Sequence, residues 1–161
     1  MPRTRPPRDR QLVVAVLTFA ALLAGCGSTY TKADFVAQAD AICATTVSKT
    51  RSIAPPSFTR SPAQRLSALG GYLAVVLPIE QSEANQIRAL RRPTEDAHAL
   101  TRYLAALTTS VNEYAGLTAA AKRGDAQAVA SAEAALRANP VASLATGYGL
   151  RSCGTPEATV A

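Results

Sequence analysis

The sequence predicts an all-α protein: a four-helix, up-down-up-down bundle with proline-kinked helices, closed by one disulfide. Three observations carry this. Apolar residues recur every three or four positions in four separate segments, each bounded by capping residues, Gly or Pro. No period-two alternation of useful length occurs, so strands are not expected. The turns between segments are short, which favours antiparallel neighbours.

The chain starts with Arg3, Arg5, Arg8 and Arg10, then an uncharged apolar run from Leu12 to Ala24 that ends in Leu23-Ala24-Gly25-Cys26. A basic start, a short apolar core and small residues before a processing point form a secretory signal rather than a structural element. At about 13 residues the run is too short to remain as a membrane helix, and so is the stretch from Leu66 to Ile79, which contains Gly70, Gly71 and Pro78. Thr4 separates Arg3 from Arg5, so there is no twin-arginine pair, and the general secretory route is expected. The Leu-Ala-Gly-Cys ending resembles the lipobox of bacterial lipoproteins. That resemblance implies removal of residues 1–25, a diacylglyceryl group on Cys26, and a protein held by lipid on the outer face of the cell membrane. The bilayer would then be its first partner, through acylated Cys26, with envelope proteins or wall polymers as further ones.

The formal net charge of +6 overstates the mature protein, since the signal holds four Arg against Asp9 alone; about +3 remains. So modest a charge, on an exported chain, does not point to nucleic acid, although it suits a surface carrying anionic lipid. Residues 26–30 form a very short tether, at most about 14 Å when extended. The helical domain is expected over 31–153 and a frayed tail over 154–161.

Thr31 can cap the first helix, with Asp34 three positions on. Phe35, Ala39, Ile42 and Thr46 form its stripe, with Cys43 beside them. Thr50 to Thr59, containing Pro55-Pro56, reads as loop. Ser61-Pro62-Ala63-Gln64 is a start signal for the second helix. Leu66, Leu69, Leu73 and Leu77 form its stripe; Gly70-Gly71 weakens the middle, Pro78 should kink it, and Pro93 ends the pattern. The third helix is the most regular, with Ala97, Leu100, Leu104, Leu107, Val111, Tyr114, Thr118 and Ala121 alternating by three and four. Lys122, Arg123 and Gly124 suit its end. Asp125 can cap a fourth helix carrying Val129, Ala132, Leu136, Pro140 and Leu144, ended by Gly147-Tyr148-Gly149.

If Cys26 carries lipid, Cys43 and Cys153 are left as a pair in an oxidising compartment. A disulfide is the natural reading, the alternative being two separate buried thiols. Ala39-Asp40-Ala41-Ile42-Cys43 and Tyr148-Gly149-Leu150-Arg151-Ser152-Cys153-Gly154 bracket nearly the whole domain. In these two motifs the chain resembles small secreted or lipid-anchored helical proteins of high-GC Gram-positive bacteria. The resemblance implies a cysteine pair and a helical fold, and no activity.

Catalytic chemistry is not visible. The sole histidine, His98, falls beside Asp96 on the wet side of the third helix, where a solvated surface role is expected. No nucleophile elbow, phosphate loop or zinc-ligand spacing occurs. Glu80 and Glu83 have the spacing of bundle metal carboxylates but lack the accompanying histidines. An enzyme, a cofactor and a metal site are therefore not expected. Arg88, Arg91 and Arg92 form a small basic cluster; complementarity to a helix end accounts for it, and contact with anionic lipid or wall polymer is the functional alternative. Two functions fit: a non-enzymatic structural or interaction module of the cell envelope, or a binder of a small apolar or amphipathic ligand between kinked helices. For the second, the candidate pocket lies at Pro78, lined by Glu80 and Tyr103. A simple antiparallel count about the Pro93 turn pairs those two residues, and Glu80 continues an apolar stripe that a charge should avoid.

Overall fold

The computed structural model describes residues 29–57 and 61–154. The expected signal peptide over residues 1–25, Cys26, the first part of the expected tether and the expected tail beyond Gly154 lie outside the described residues. Within them the protein is all-helical: α1 (Lys32–Arg51), α2 (Pro62–Ala89), α3 (Ala97–Arg123), α4 (Ala126–Ala138) and α5 (Val141–Tyr148). No strand occurs among the described residues.

The helix ends follow the side chains that can satisfy them. Thr31 and Asp34 cap α1 reciprocally: the Asp34 N–H donates to Thr31 Oγ1 at 3.2 Å and the Thr31 N–H to Asp34 Oδ2 at 2.9 Å. Helix α1 runs two residues past the expected start of the loop, taking in Thr50 and Arg51. Gln64 Oε1 receives the Ser61 N–H at the start of α2, and Asp125 Oδ1 receives the Ala128 N–H at the start of α4. Gly124 and Gly149 close α3 and α5 at φ 69° and 109°, in the left-handed region where a side chain is strained. In both, the next residue's N–H reaches back five positions, Asp125 to the Ala120 carbonyl and Leu150 to that of Ala145.

The expected fourth helix is divided. Pro140 has no N–H to donate, and its ring disfavours helical geometry at the preceding residue. Asn139 accordingly sits at ψ 127°, extended. Its side chain secures the break: Oδ1 accepts the Val141 N–H at 3.0 Å and Nδ2 donates to Glu113 Oε2 on α3 at 2.8 Å. Pro78, by contrast, lies inside a continuous α2.

Helix α3 is the spine, packing against α2, α4 and α5, while α1 packs against α2. The core has two parts. One joins Phe35, Ala39 and Cys43 of α1 to Ile87, Leu100, Tyr103 and Leu107, closed by Tyr148 and Leu150. The other joins Leu73 of α2 to Leu117, Ala120 and Ala121 of α3 and Val129 of α4.

Gly70 explains part of that second region. A Cβ there would lie 3.0 Å from the Lys122 backbone nitrogen and 3.2 Å from the Ala121 carbonyl carbon, so α2 and α3 touch backbone to backbone. The simple hairpin count would have set Gly70 opposite about Ala115; the actual contact lies further along α3. Gly71 has nothing within 4 Å of the corresponding position. The two glycines should therefore respond oppositely to alanine. Gly70→Ala forces the helices apart and should cost about 1–3 kcal/mol. Gly71→Ala should stabilise by up to about 1 kcal/mol through helix propensity. Urea unfolding of both variants measures this, and equal effects would contradict the backbone contact.

Candidate functional site

Three places gather the residues that the sequence singles out. The first joins the two short motifs. Cys43 and Cys153 form a disulfide, S–S 2.06 Å, across 110 positions of sequence. Beside it Asp40 receives the backbone N–H groups of Arg151 and Ser152, each at 2.8 Å from Oδ1. Gly149 supplies the left-handed turn that redirects the chain, Leu150 enters the core at 1 % exposure, and Tyr148 meets Phe35 edge to face at 5.8 Å between centroids. A Cβ on Gly154 would collide with Thr146 Oγ1. Asp40 and Cys43 of the first motif, and Tyr148, Gly149, Leu150 and Cys153 of the second, are thus occupied in fastening the C-terminal segment along α1. Asp40 was not picked out as a partner from sequence; its position, three before Cys43 on the same helical face, is the signal that could have found it.

The second place is Tyr103. It is 1 % exposed, and its hydroxyl has no hydrogen-bond partner among the described residues. Burial pushes the phenol's acidity far down, raising its pKa above the usual value, and the charges of Glu83 and Asp40 add to this. Glu80 is half-buried with Oε1 turned from solvent. The cavity beside Pro78 is elsewhere: a groove of about 450 Å³ between α1 and α2, lined by residues that include Ile42, Thr45, Lys49, Pro78, Ile79, Ser82 and Gln86. Neither Glu80 nor Tyr103 lines it, which corrects the expected pocket lining. The cause is helical geometry: Glu80 is two positions from Pro78, so the two project from different sides of α2. Several polar groups of the groove are already committed. Thr45 Oγ1 donates to the Ala41 carbonyl at 2.9 Å, and Gln86 Nε2 to the Ser82 carbonyl and hydroxyl at 3.2 and 3.1 Å.

The third place is the end of the bundle where α1 begins. The Lys32 N–H donates to Glu95 Oε2, and Lys32 Nζ pairs with Asp96 Oδ2 at 2.7 Å while lying 4.7 Å from the centre of the Tyr148 ring. Asp96 holds φ 52°, a left-handed geometry that Asp tolerates better than most residues. The Arg91 guanidinium sits 5.6 Å from the Tyr30 ring centre. Arg88 instead turns along α2, to Asn85 and to Thr108 of α3. His98 is exposed.

Among the described residues no group of three His, Cys, Asp or Glu is placed to hold a metal, and no helix is long and apolar enough to cross a membrane. No family model, curated protein or solved structure matches the chain.

Two substitutions separate these roles. Asp40→Ala leaves two backbone N–H groups of the C-terminal turn without their acceptor and should cost about 1–3 kcal/mol. Tyr103→Phe removes a hydroxyl that gains no protein partner and should be neutral or stabilising. Its effect should also depend on pH. In the unfolded chain the phenol ionises near pH 10, whereas buried it keeps its proton to higher pH. Above about pH 10 the unfolded state binds fewer protons, so stability falls as pH rises. Thermal melts through that range should show a shallower fall for Tyr103→Phe than for the parent protein.

Proposed function

We propose that this protein is an exported lipoprotein. In this reading residues 1–25 are a removed signal and Cys26 carries a diacylglyceryl anchor. The helical domain, an up-down-up-down bundle kinked at Pro78, stands on the extracytoplasmic face of the cell membrane. There it acts as a non-enzymatic structural or interaction module, with the bilayer as one partner and envelope proteins or wall polymers as others. The observation that carries this reading is the Leu23-Ala24-Gly25-Cys26 ending behind a basic start and a short apolar run. The Cys43–Cys153 disulfide supports it, since such bonds persist in oxidising compartments. So does the use of the two motifs in fastening the chain, in which the Asp40 carboxylate is occupied by backbone N–H groups.

A second reading, binding of a small apolar or amphipathic ligand, is favoured by the groove at Pro78, whose volume of about 450 Å³ falls in the range of ligand pockets. Its committed hydroxyl and amide groups weigh against it, because an oriented ligand needs polar groups free to converge on it.

Palmitate labelling in a lipoprotein-processing bacterial host tests the first reading. The parent chain should incorporate label and partition with membranes. Cys26→Ser should lose the label and release protein or accumulate precursor, because several acyl chains together give stable anchoring where one is marginal. Unchanged incorporation in Cys26→Ser would defeat the proposal.

A further inference from the structure

We propose that the end of the bundle bearing Tyr30, Arg91 and Arg92 is a bilayer-docking surface that takes the phosphates of anionic phospholipids; this rests on the lipid-anchored reading above. The chain between Cys26 and Tyr30 spans at most about 14 Å, so an anchored Cys26 holds the start of α1 within reach of the headgroups. The contacts of Lys32 with Glu95 and Asp96 bring the turn between α2 and α3 to that same end. Its two neighbouring arginines come with it, both exposed.

Charge on this end is distributed unevenly. Of the acidic groups, Asp96 is paired with the Lys32 ammonium, while Asp34 and Glu95 accept hydrogen bonds from Thr31 and the Lys32 amide and keep their charge, against the two exposed arginines. The other lysine and arginine groups nearby are engaged with the protein's own surface groups, Lys32 with Asp96 and Tyr148 and Arg88 with Asn85 and Thr108. The Arg91 guanidinium lies 5.6 Å from the Tyr30 ring centre, and Arg92 follows it in sequence, both residues exposed. Tyr30 itself packs against the core with its hydroxyl buried, so the phosphate contacts fall to the arginine forks. The opposite end of α3 lies about 40 Å away, too far to share the contact.

The test uses the full chain expressed in a lipoprotein-processing host, carrying a reporter thiol at Thr94→Cys in this turn or, as a control, at Gln127→Cys at the far end. Palmitate incorporation is measured first and reports the anchor alone. The reporter is then timed against a charged, membrane-impermeant maleimide, in membranes and again in detergent. In membranes the Thr94→Cys thiol should react about thirtyfold more slowly than in detergent, the product of roughly fivefold per arginine at an anionic surface. High salt, Arg91→Glu with Arg92→Glu, or the milder Arg91→Gln with Arg92→Gln should each remove most of that protection. Gln127→Cys should react alike in both. Absent palmitate overturns the anchored reading and this surface with it. Palmitate incorporation with equal reactivity of Thr94→Cys in membranes and detergent overturns the docking surface alone. Protection that survives both salt and the arginine changes assigns the contact to something other than anionic lipid, and equally overturns the proposal.

Discussion

Between Cys43 on α1 and Cys153 beyond α5 the chain closes a loop containing every other helix. The weight of this link follows from the composition of the core. Buried positions on the helix interfaces are often alanine, such as Ala39, Ala84, Ala120, Ala121 and Ala145, and each contributes little apolar area. Closing a loop of about 110 residues stabilises by roughly 4–5 kcal/mol in the chain-entropy account, a large share of an ordinary domain's total. Asp40 adds direction: by receiving two consecutive backbone N–H groups it fixes the path by which the segment after α5 reaches Cys43. Without bond and carboxylate, α1 would be held chiefly by its packing on α2 and by the few polar contacts at its start.

Small residues set the rest of the geometry. Gly70 lets α2 lie directly on the α3 backbone, and that contact decides which residues of the two helices face one another. The division of the core follows from helix length. Helices α2 and α3 are each about 40 Å long, while α1, α4 and α5 are shorter. The two long helices form a platform; α5 and the start of α1 cover one half and α4 the other. Pro140 makes this possible by splitting the last helical stretch, so that α4 and α5 each follow their own part of α3.

Much of this was legible from local chemistry. Thr31, Ser61, Asp125, Gly124 and Gly149 mark helix ends because capping and left-handed turns are decided within a few residues. The cysteine pairing was legible as the natural choice, since two thiols remained once Cys26 was assigned to lipid. Long-range features were not. The same cue, a proline inside an apolar stripe, accompanies a continuous helix at Pro78 and a break at Pro140. Asn139, which bonds to Glu113 on another helix, makes the difference, and no local pattern announces that partner. Neither Glu80 nor Tyr103 lines the groove at Pro78, for a related reason. The hairpin count misplaces the register of α2 on α3, as the contact of Gly70 with Lys122 shows, and it cannot tell which side of α2 is open; the groove at Pro78 opens toward α1.

What the domain can do follows from where its polar groups are spent. Asp40, Thr45, Gln86, Asn139 and Asp96 all satisfy the protein's own backbone or side chains. Tyr103 holds its hydroxyl in the core, where burial keeps it protonated and away from any solvent-borne partner. Catalysis requires groups held in reach of a substrate with acidity matched to proton transfer, and a phenol whose pKa is pushed upward in a closed core is moved away from that condition. The exposed guanidinium groups of Arg91 and Arg92, in the turn after α2, are different in kind, since a guanidinium contacts partners by fork geometry. The covalent closure between Cys43 and Cys153 keeps the shape of the domain when little apolar area is available to do so.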